Sequence, residues 1–108
     1  MTGPVAITQG QVWNAISPLT RQEATVVILD ATPAMLDRQR VLTARVRPDR
    51  EVPEAMKLLA VPIRGAGLTV AVYDIAAFDR AWFTESKGQL SLDEMALVKS
   101  ALSARFDL

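Results

Sequence analysis

The run Ala24-Thr25-Val26-Val27-Ile28-Leu29 constrains this chain more than any other segment. Successive side chains of a strand point to opposite faces, and here β-branched residues fill both. A strand that is apolar on both sides has to be covered on both sides. The rest of a 108-residue chain must therefore be arranged around it. That length supports one domain, residues 1–108, and a hydrophobic content of 50% is enough for one core.

The flanking segments show how the covering is done. Residues 1–8 read as a loose lead-in. Gln11 to Ile16 alternates, with Val12, Asn14 and Ile16 on one side and Gln11, Trp13 and Ala15 on the other, until Ser17-Pro18 stops it. Asp30 to Pro33 reads as a turn. From Val41 to Arg47, Leu42, Ala44 and Val46 point one way, and Thr43, Arg45 and Arg47 the other. One face is core and the other polar and cationic. Met56 to Val61 is a further apolar run closed by Pro62, Arg64 to Gly67 a hairpin loop, and Leu68 to Tyr73 a returning strand. Trp82 and Phe83 cannot both point inward on a strand. Either one is exposed for a partner, or both pack in a loop over the core.

Ser91-Leu92-Asp93-Glu94 fits a capping box, with Leu90 and Met95 placed as its hydrophobic staple. Met95, Val98 and Leu102 then form one apolar stripe of a helix predicted to run to about Arg105. Several short strands followed by one helix predict a mostly β (α+β) fold: a small, partly open β-barrel with a C-terminal helix.

Composition narrows the chemistry. Twelve basic residues balance twelve acidic ones, so any nucleic-acid site must be a local patch. Without cysteine there is no disulfide and no thiol nucleophile; without histidine the commonest general base and metal ligand are missing. We expect no metal and no cofactor. Arg64-Gly65-Ala66-Gly67 lacks the residues of a phosphate-cradling loop. No segment approaches the roughly 18 apolar residues of a membrane span, and Met1-Thr2-Gly3-Pro4 lacks the order of a signal peptide, so the expected location is the cytoplasm.

The local patch is an arginine set. Arg38, Arg40, Arg45, Arg47 and Arg50 face only Asp37 and Asp49 between positions 37 and 50, an excess of five minus two, or three, positive charges. Arg45 and Arg47 on one strand face could grip a phosphate through their planar forks. The same pair could equally be a solvated strand face, a charge-protected edge or a contact for a partner protein. Acid–base catalysis without histidine needs a carboxylate base such as Glu23 or Asp30, or an arginine acting electrostatically. Glu23 beside Arg21 also fits a simple surface ion pair. Tyr73 could stack on a base or lie half-buried with its hydroxyl in water.

Gly10-Gln11-Val12-Trp13, the strand Ala24–Leu29, Gly67-Leu68-Thr69-Val70-Ala71-Val72 and Lys87-Gly88-Gln89-Leu90-Ser91 with its helix follow in a distinctive order. In that order and spacing the chain resembles the MazF/PemK toxins, and more distantly CcdB, over nearly its whole length. The resemblance implies an SH3-like barrel and the toxin of a type II toxin–antitoxin pair. It implies a homodimer acting on single-stranded RNA as a metal-independent endoribonuclease, blocked by a cognate antitoxin with a disordered acidic tail. MazF-type enzymes use an arginine just before the central strand and a threonine or serine after the next one. Here the first position holds Glu23 and the second falls at or near Arg47, with Arg21 the nearest arginine and Thr43 the nearest hydroxyl. On this alignment Arg21, Glu23, Thr43 and Arg47 are the catalytic candidates; Arg38, Arg40, Arg45 and Tyr73 are the RNA-binding ones. The family's acidic–glutamine pair falls at Val72-Tyr73 or, one residue on, at Tyr73-Asp74. CcdB-type toxins are instead non-enzymatic poisons of gyrase. Val27 to Arg47 and Tyr73 to Ala76 align with them too, whereas their Trp-Gly-Ile tail is replaced by Arg105-Phe106-Asp107-Leu108. A third reading is an interaction module that has lost toxicity.

Overall fold

A computed structural model describes residues 7–32 and 38–106. Residues 1–6 of the expected lead-in, Asp37 of the arginine segment and the last two residues lie outside them. The described part of the lead-in is not loose. Ile7 is buried, and the Thr8 amide donates to Gln11 Oε1 at 2.8 Å.

Among the described residues there are six strands and one α-helix: β1 (Gln11–Ile16), β2 (Glu23–Ile28), β3 (Arg40–Pro48), β4 (Ala60–Ile63), β5 (Leu68–Asp79), β6 (Phe83–Gln89) and α1 (Leu92–Phe106). The strands form one antiparallel sheet in the order β4-β5-β3-β2-β1-β6. It does not close, so β4 and β6 are its edges. The expected mostly β fold with a C-terminal helix is observed.

β2 is buried on both faces, as its composition requires. Val27 and Leu29 join Ala44, Val70 and Val72 beneath Met95, Val98 and Ala101 of α1. Val26 and Ile28 join Trp13, Ala15, Val41 and Phe78 on the other side. Fully burying each of Val26, Val27 and Ile28 contributes roughly 1.5–3 kcal/mol. Ala44 and Val46 of β3 face the helix, as their alternation predicts, whereas Leu42 stays partly exposed.

Helix α1 begins as its sequence dictates. The Ser91 amide donates to Glu94 Oε1 at 2.9 Å, and the Glu94 amide to Ser91 Oγ at 3.1 Å. Leu90 and Met95 are both buried in the helix-side core, as a staple requires.

Three segments differ from the expectation. The Met56–Val61 run divides: Glu54–Leu59 forms a 3-10 turn started after Pro53, with Met56 and Leu58 exposed, and only Ala60 opens a strand. Trp82 and Phe83 belong to different elements, a 3-10 turn (Arg80–Trp82) and β6, so strand alternation does not apply to them. Both pack on the second core. Trp82 meets Phe78 edge to face at 5.6 Å, and Phe83 lies 5.9 Å from Trp13. Finally, β5 does not stop at Tyr73 but continues to Asp79 past an irregularity in its pairing.

Candidate functional site

That irregularity builds the site. On β3, Ala44 pairs with Ile75 of β5, and the next residue, Arg45, pairs with Ala71. One step on β3 thus matches four on β5, leaving Val72, Tyr73 and Asp74 without partners on β3. Bulges of this kind re-aim side chains and occur often beside active sites. Here the bulge turns Asp74 toward the cationic face of β3. Arg47 Nη2 donates to Asp74 Oδ2 at 2.6 Å, and Arg45 Nε lies 3.8 Å from the same oxygen. The three side chains are 34, 41 and 31% exposed for Arg47, Arg45 and Asp74, so a ligand can reach them and solvent screens them. The hydrogen bond to Asp74 holds the Arg47 pKa above its ordinary value; the charges of Asp74, Tyr73 and Glu51 add to the rise, against partial desolvation. Two arginines against one carboxylate leave a net positive charge aimed at solvent.

The helix secures the bulge from behind. Arg105 Nη1 donates to the Val72 carbonyl at 3.2 Å, and its guanidinium lies 5.5 Å from the Phe106 ring.

Beside Arg45 lies a cavity of about 200 Å³. The β1–β2 turn supplies Gln22, β2 supplies Glu23, β3 supplies Arg45, β5 supplies Ala76 and Phe78, and the 3-10 turn supplies Trp82. Glu23 opens β2 opposite Ile16 and is exposed. The turn carries Arg21 at a left-handed φ of 57°, its amide donating to the Ser17 carbonyl at 2.7 Å. The Arg21 side chain is exposed on the same turn and does not line the cavity.

The predicted candidates therefore separate. Arg45 and Arg47 meet at Asp74, and Arg45 with Glu23 lines the adjoining cavity. Thr43 does not join them: it is fully buried, and its hydroxyl donates to the Ala76 carbonyl at 2.8 Å. Register explains this, because Thr43 pairs with Ala76 beyond the bulge, where β3 and β5 are in close contact. Tyr73 is half-buried, and its hydroxyl is turned inward with no hydrogen-bond partner among the described residues, not outward as a stacking platform or into water. Arg38 and Arg40 form a separate exposed patch, Arg40 lying about 16 Å along β3 from Arg45 at about 3.3 Å per residue. Arg40 faces Asp79, and the Arg38 carbonyl accepts from Arg80 Nε. Hydrogen bonds from the Ala81 amide and from Gln39 hold the Asp79 pKa below the usual carboxylate range, with Arg40 adding to the effect.

Asp74 as the shared anion, Arg105 as the anchor and Trp82 as a cavity wall were not singled out from the sequence in these roles. The bulge that unites them leaves no periodic trace. The available signals were the Tyr73-Asp74 pair at a strand end and the adjacent aromatics at Trp82-Phe83.

A larger cavity, about 470 Å³, lies between β4 and the start of α1. There Glu94 Oε2 accepts from the Arg64 amide at 2.8 Å, and no cluster of cations lines the space. Among the described residues no group of three or more aspartates or glutamates is placed to hold a metal ion, and no helix is long and apolar enough to cross a membrane.

Neither a protein-family model nor a curated protein matches the chain. Solved structures do. An endoribonuclease from Mycobacterial species aligns with a TM-score of 0.80 at 14% identity, covering 99% of this chain and 97% of that one. A Mycobacterial endoribonuclease solved with its cognate antitoxin gives 0.81 at 16% identity, over 95% and 97%. MazF in its complex with MazE from Deinococcus radiodurans gives 0.77 at 13% identity, over 96% and 99%. Over the described residues, the chain has the fold of the MazF toxins.

Proposed function

We propose that this protein is the toxin of a type II toxin–antitoxin pair and that it cleaves single-stranded RNA at the β5 bulge. The observation that carries the reading is the convergence of Arg45 and Arg47 on one carboxylate at an exposed bulge, in a fold shared with MazF endoribonucleases. Planar guanidinium forks match the oxygens of a phosphodiester. Two of them held on adjacent same-face positions of β3 are pre-oriented, so little is lost in organising them around developing negative charge.

Glu23 is the carboxylate of the neighbouring cavity and is proposed as the base. It takes the proton of a ribose 2′-hydroxyl. The 2′-oxygen forms a bond to phosphorus, the bond from phosphorus to the 5′-oxygen breaks, and the leaving oxygen takes a proton from water. The products are a 2′,3′-cyclic phosphate and a 5′-hydroxyl. Arg45 and Arg47 carry the added charge on the phosphate, and Arg21 on the adjoining turn contributes to RNA binding. Arg38 and Arg40, in their separate patch, contact the RNA away from the scissile phosphate. The Thr43 hydroxyl is engaged by the backbone and serves the architecture of the site. The partners in this reading are a second copy of the chain and a cognate antitoxin whose acidic tail competes for the arginines.

The test is cleavage of a long, mostly single-stranded RNA by the purified protein in EDTA, with Arg47→Ala as control. Discrete cuts that vanish in the variant support the reading. No cuts from folded protein would overturn it and favour a non-enzymatic poison that binds a replication protein. Sedimentation of the protein alone checks the homodimer.

A further inference from the structure

We propose that the cavity beside Arg45 is a nucleobase pocket, walled by Trp82 and read by Gln22 and Glu23, which selects an amino-bearing base at the phosphate held by Arg45 and Arg47. The inference rests on the RNA-directed reading of the site and adds a specificity to it.

At about 200 Å³ the cavity is smaller than the roughly 300–1,000 Å³ of pockets for drug-sized ligands, and it suits a single planar ring system. Trp82 is half-exposed, and its edge-to-face contact with Phe78 at 73° fixes its plane. Ala76 and Ala77 beside it leave open the space a larger side chain would fill. An aromatic wall next to a cation is the general recipe for holding an unpaired base, because every base has a stacking face. Arg45 belongs both to the cavity lining and to the group around Asp74, so one nucleotide can reach both.

The polar rim supplies the selection. The Gln22 side chain is exposed and makes no hydrogen bond among the described residues, leaving a donor and an acceptor to offer a base edge. An ionised Glu23 accepts only, and of its two oxygens one faces the base while the other stays free to take the 2′-hydroxyl proton. Together they complement an edge with an exocyclic amine, as on adenine, cytosine or guanine, and leave a carbonyl of uracil facing a carboxylate.

The probes are the four nucleoside 3′-monophosphates and inorganic phosphate, titrated against the intact protein by tryptophan fluorescence. Trp13 is buried, so Trp82 is the responsive reporter. Saturable quenching by the adenosine, cytidine and guanosine monophosphates, about tenfold tighter than by the uridine compound, supports the proposal. Trp82→Ala should weaken the preferred nucleotide by about tenfold, measured by competition against a labelled RNA, while Trp82→Phe keeps affinity and loses the optical signal. Gln22→Ala, on an exposed turn, should flatten the base preference without changing the affinity for inorganic phosphate. Equal affinity for all four nucleotides and for phosphate, unaltered by Gln22→Ala, would overturn the pocket and leave the RNA reading standing. Loss of all binding, to RNA as well as to nucleotides, would overturn both.

Discussion

Arg105, in the last turn of α1, donates to the carbonyl of Val72, the first residue of the β5 bulge. The end of α1 is thereby tied to the segment that presents Asp74 to Arg45 and Arg47. A tether from a charged donor holds the bulge's backbone while the sheet holds its two ends.

Replacing Arg105 by alanine should loosen the bulge more than the fold. The side chain is largely exposed, so the expected loss of stability is about 1 kcal/mol, at the low end for a charged hydrogen bond. Urea unfolding measures that. The larger effect should be a weaker affinity for RNA in the still-folded protein, and unchanged affinity would show that the bulge needs no anchor.

Arg47→Ala should reduce RNA cleavage by about 100-fold, the scale seen when one preorganised charge-stabilising group is removed. Arg47→Lys should restore little, because an ammonium lacks the fork. The slope of log affinity against log salt should fall by about one for either Arg47→Ala or Arg45→Ala. Asp74→Asn removes the competing anion and should tighten RNA binding at low salt while lowering the cleavage rate, since the two guanidinium groups lose their shared orienting partner.

Thr43→Val separates architecture from chemistry. It keeps the shape, removes the donor and deprives the Ala76 carbonyl of the Thr43 hydrogen bond, at a cost of about 1–3 kcal/mol. Thermal unfolding should report that loss. Cleavage per folded molecule should stay close to normal. A collapse of cleavage without loss of stability would place the hydroxyl in the reaction.

The start of α1 should make stability depend on acid pH. Glu94 accepts from the amides of Ser91 and Arg64, and these bonds hold its pKa below the ordinary 4.5. A carboxylate depressed on folding contributes stability that is fully present above its unfolded value and is lost as pH falls through the folded one. Glu94→Gln should therefore flatten the stability profile below about pH 5. Ser91→Ala, which removes the reciprocal half of the box, should cost about 1 kcal/mol at neutral pH.

Much of this architecture was legible in the chain. Ala24–Leu29 announced a strand covered on both faces, and Val26 and Val27 do enter different cores. Ser91 and Glu94 marked the start of the helix to the residue. Arg45 and Arg47 were legible as a cationic face because β3 alternates cleanly there. What alternation cannot report is a change of register. Tyr73-Asp74 read as the end of one strand because the pattern breaks there, whereas the strand resumes at Ile75 in a new pairing. Thr43 shared its face with Arg45 and so looked accessible; pairing with Ala76 buries it. Trp82 became a cavity wall through a short turn whose three residues carry no periodicity.

The bulge also frees the site from the arithmetic of the core. Leu68–Ala71 and Ile75–Asp79 are each registered on β3 on their own, and the three residues between them owe no pairing to that strand. A residue gained or lost at 73–74, past the buried Val72, would lengthen or shorten the bulge without sliding Val70 or Phe78 onto the wrong face. The reactive end of such a protein can thus be rewritten, in length as well as in sequence, while the scaffold beneath it stays in place.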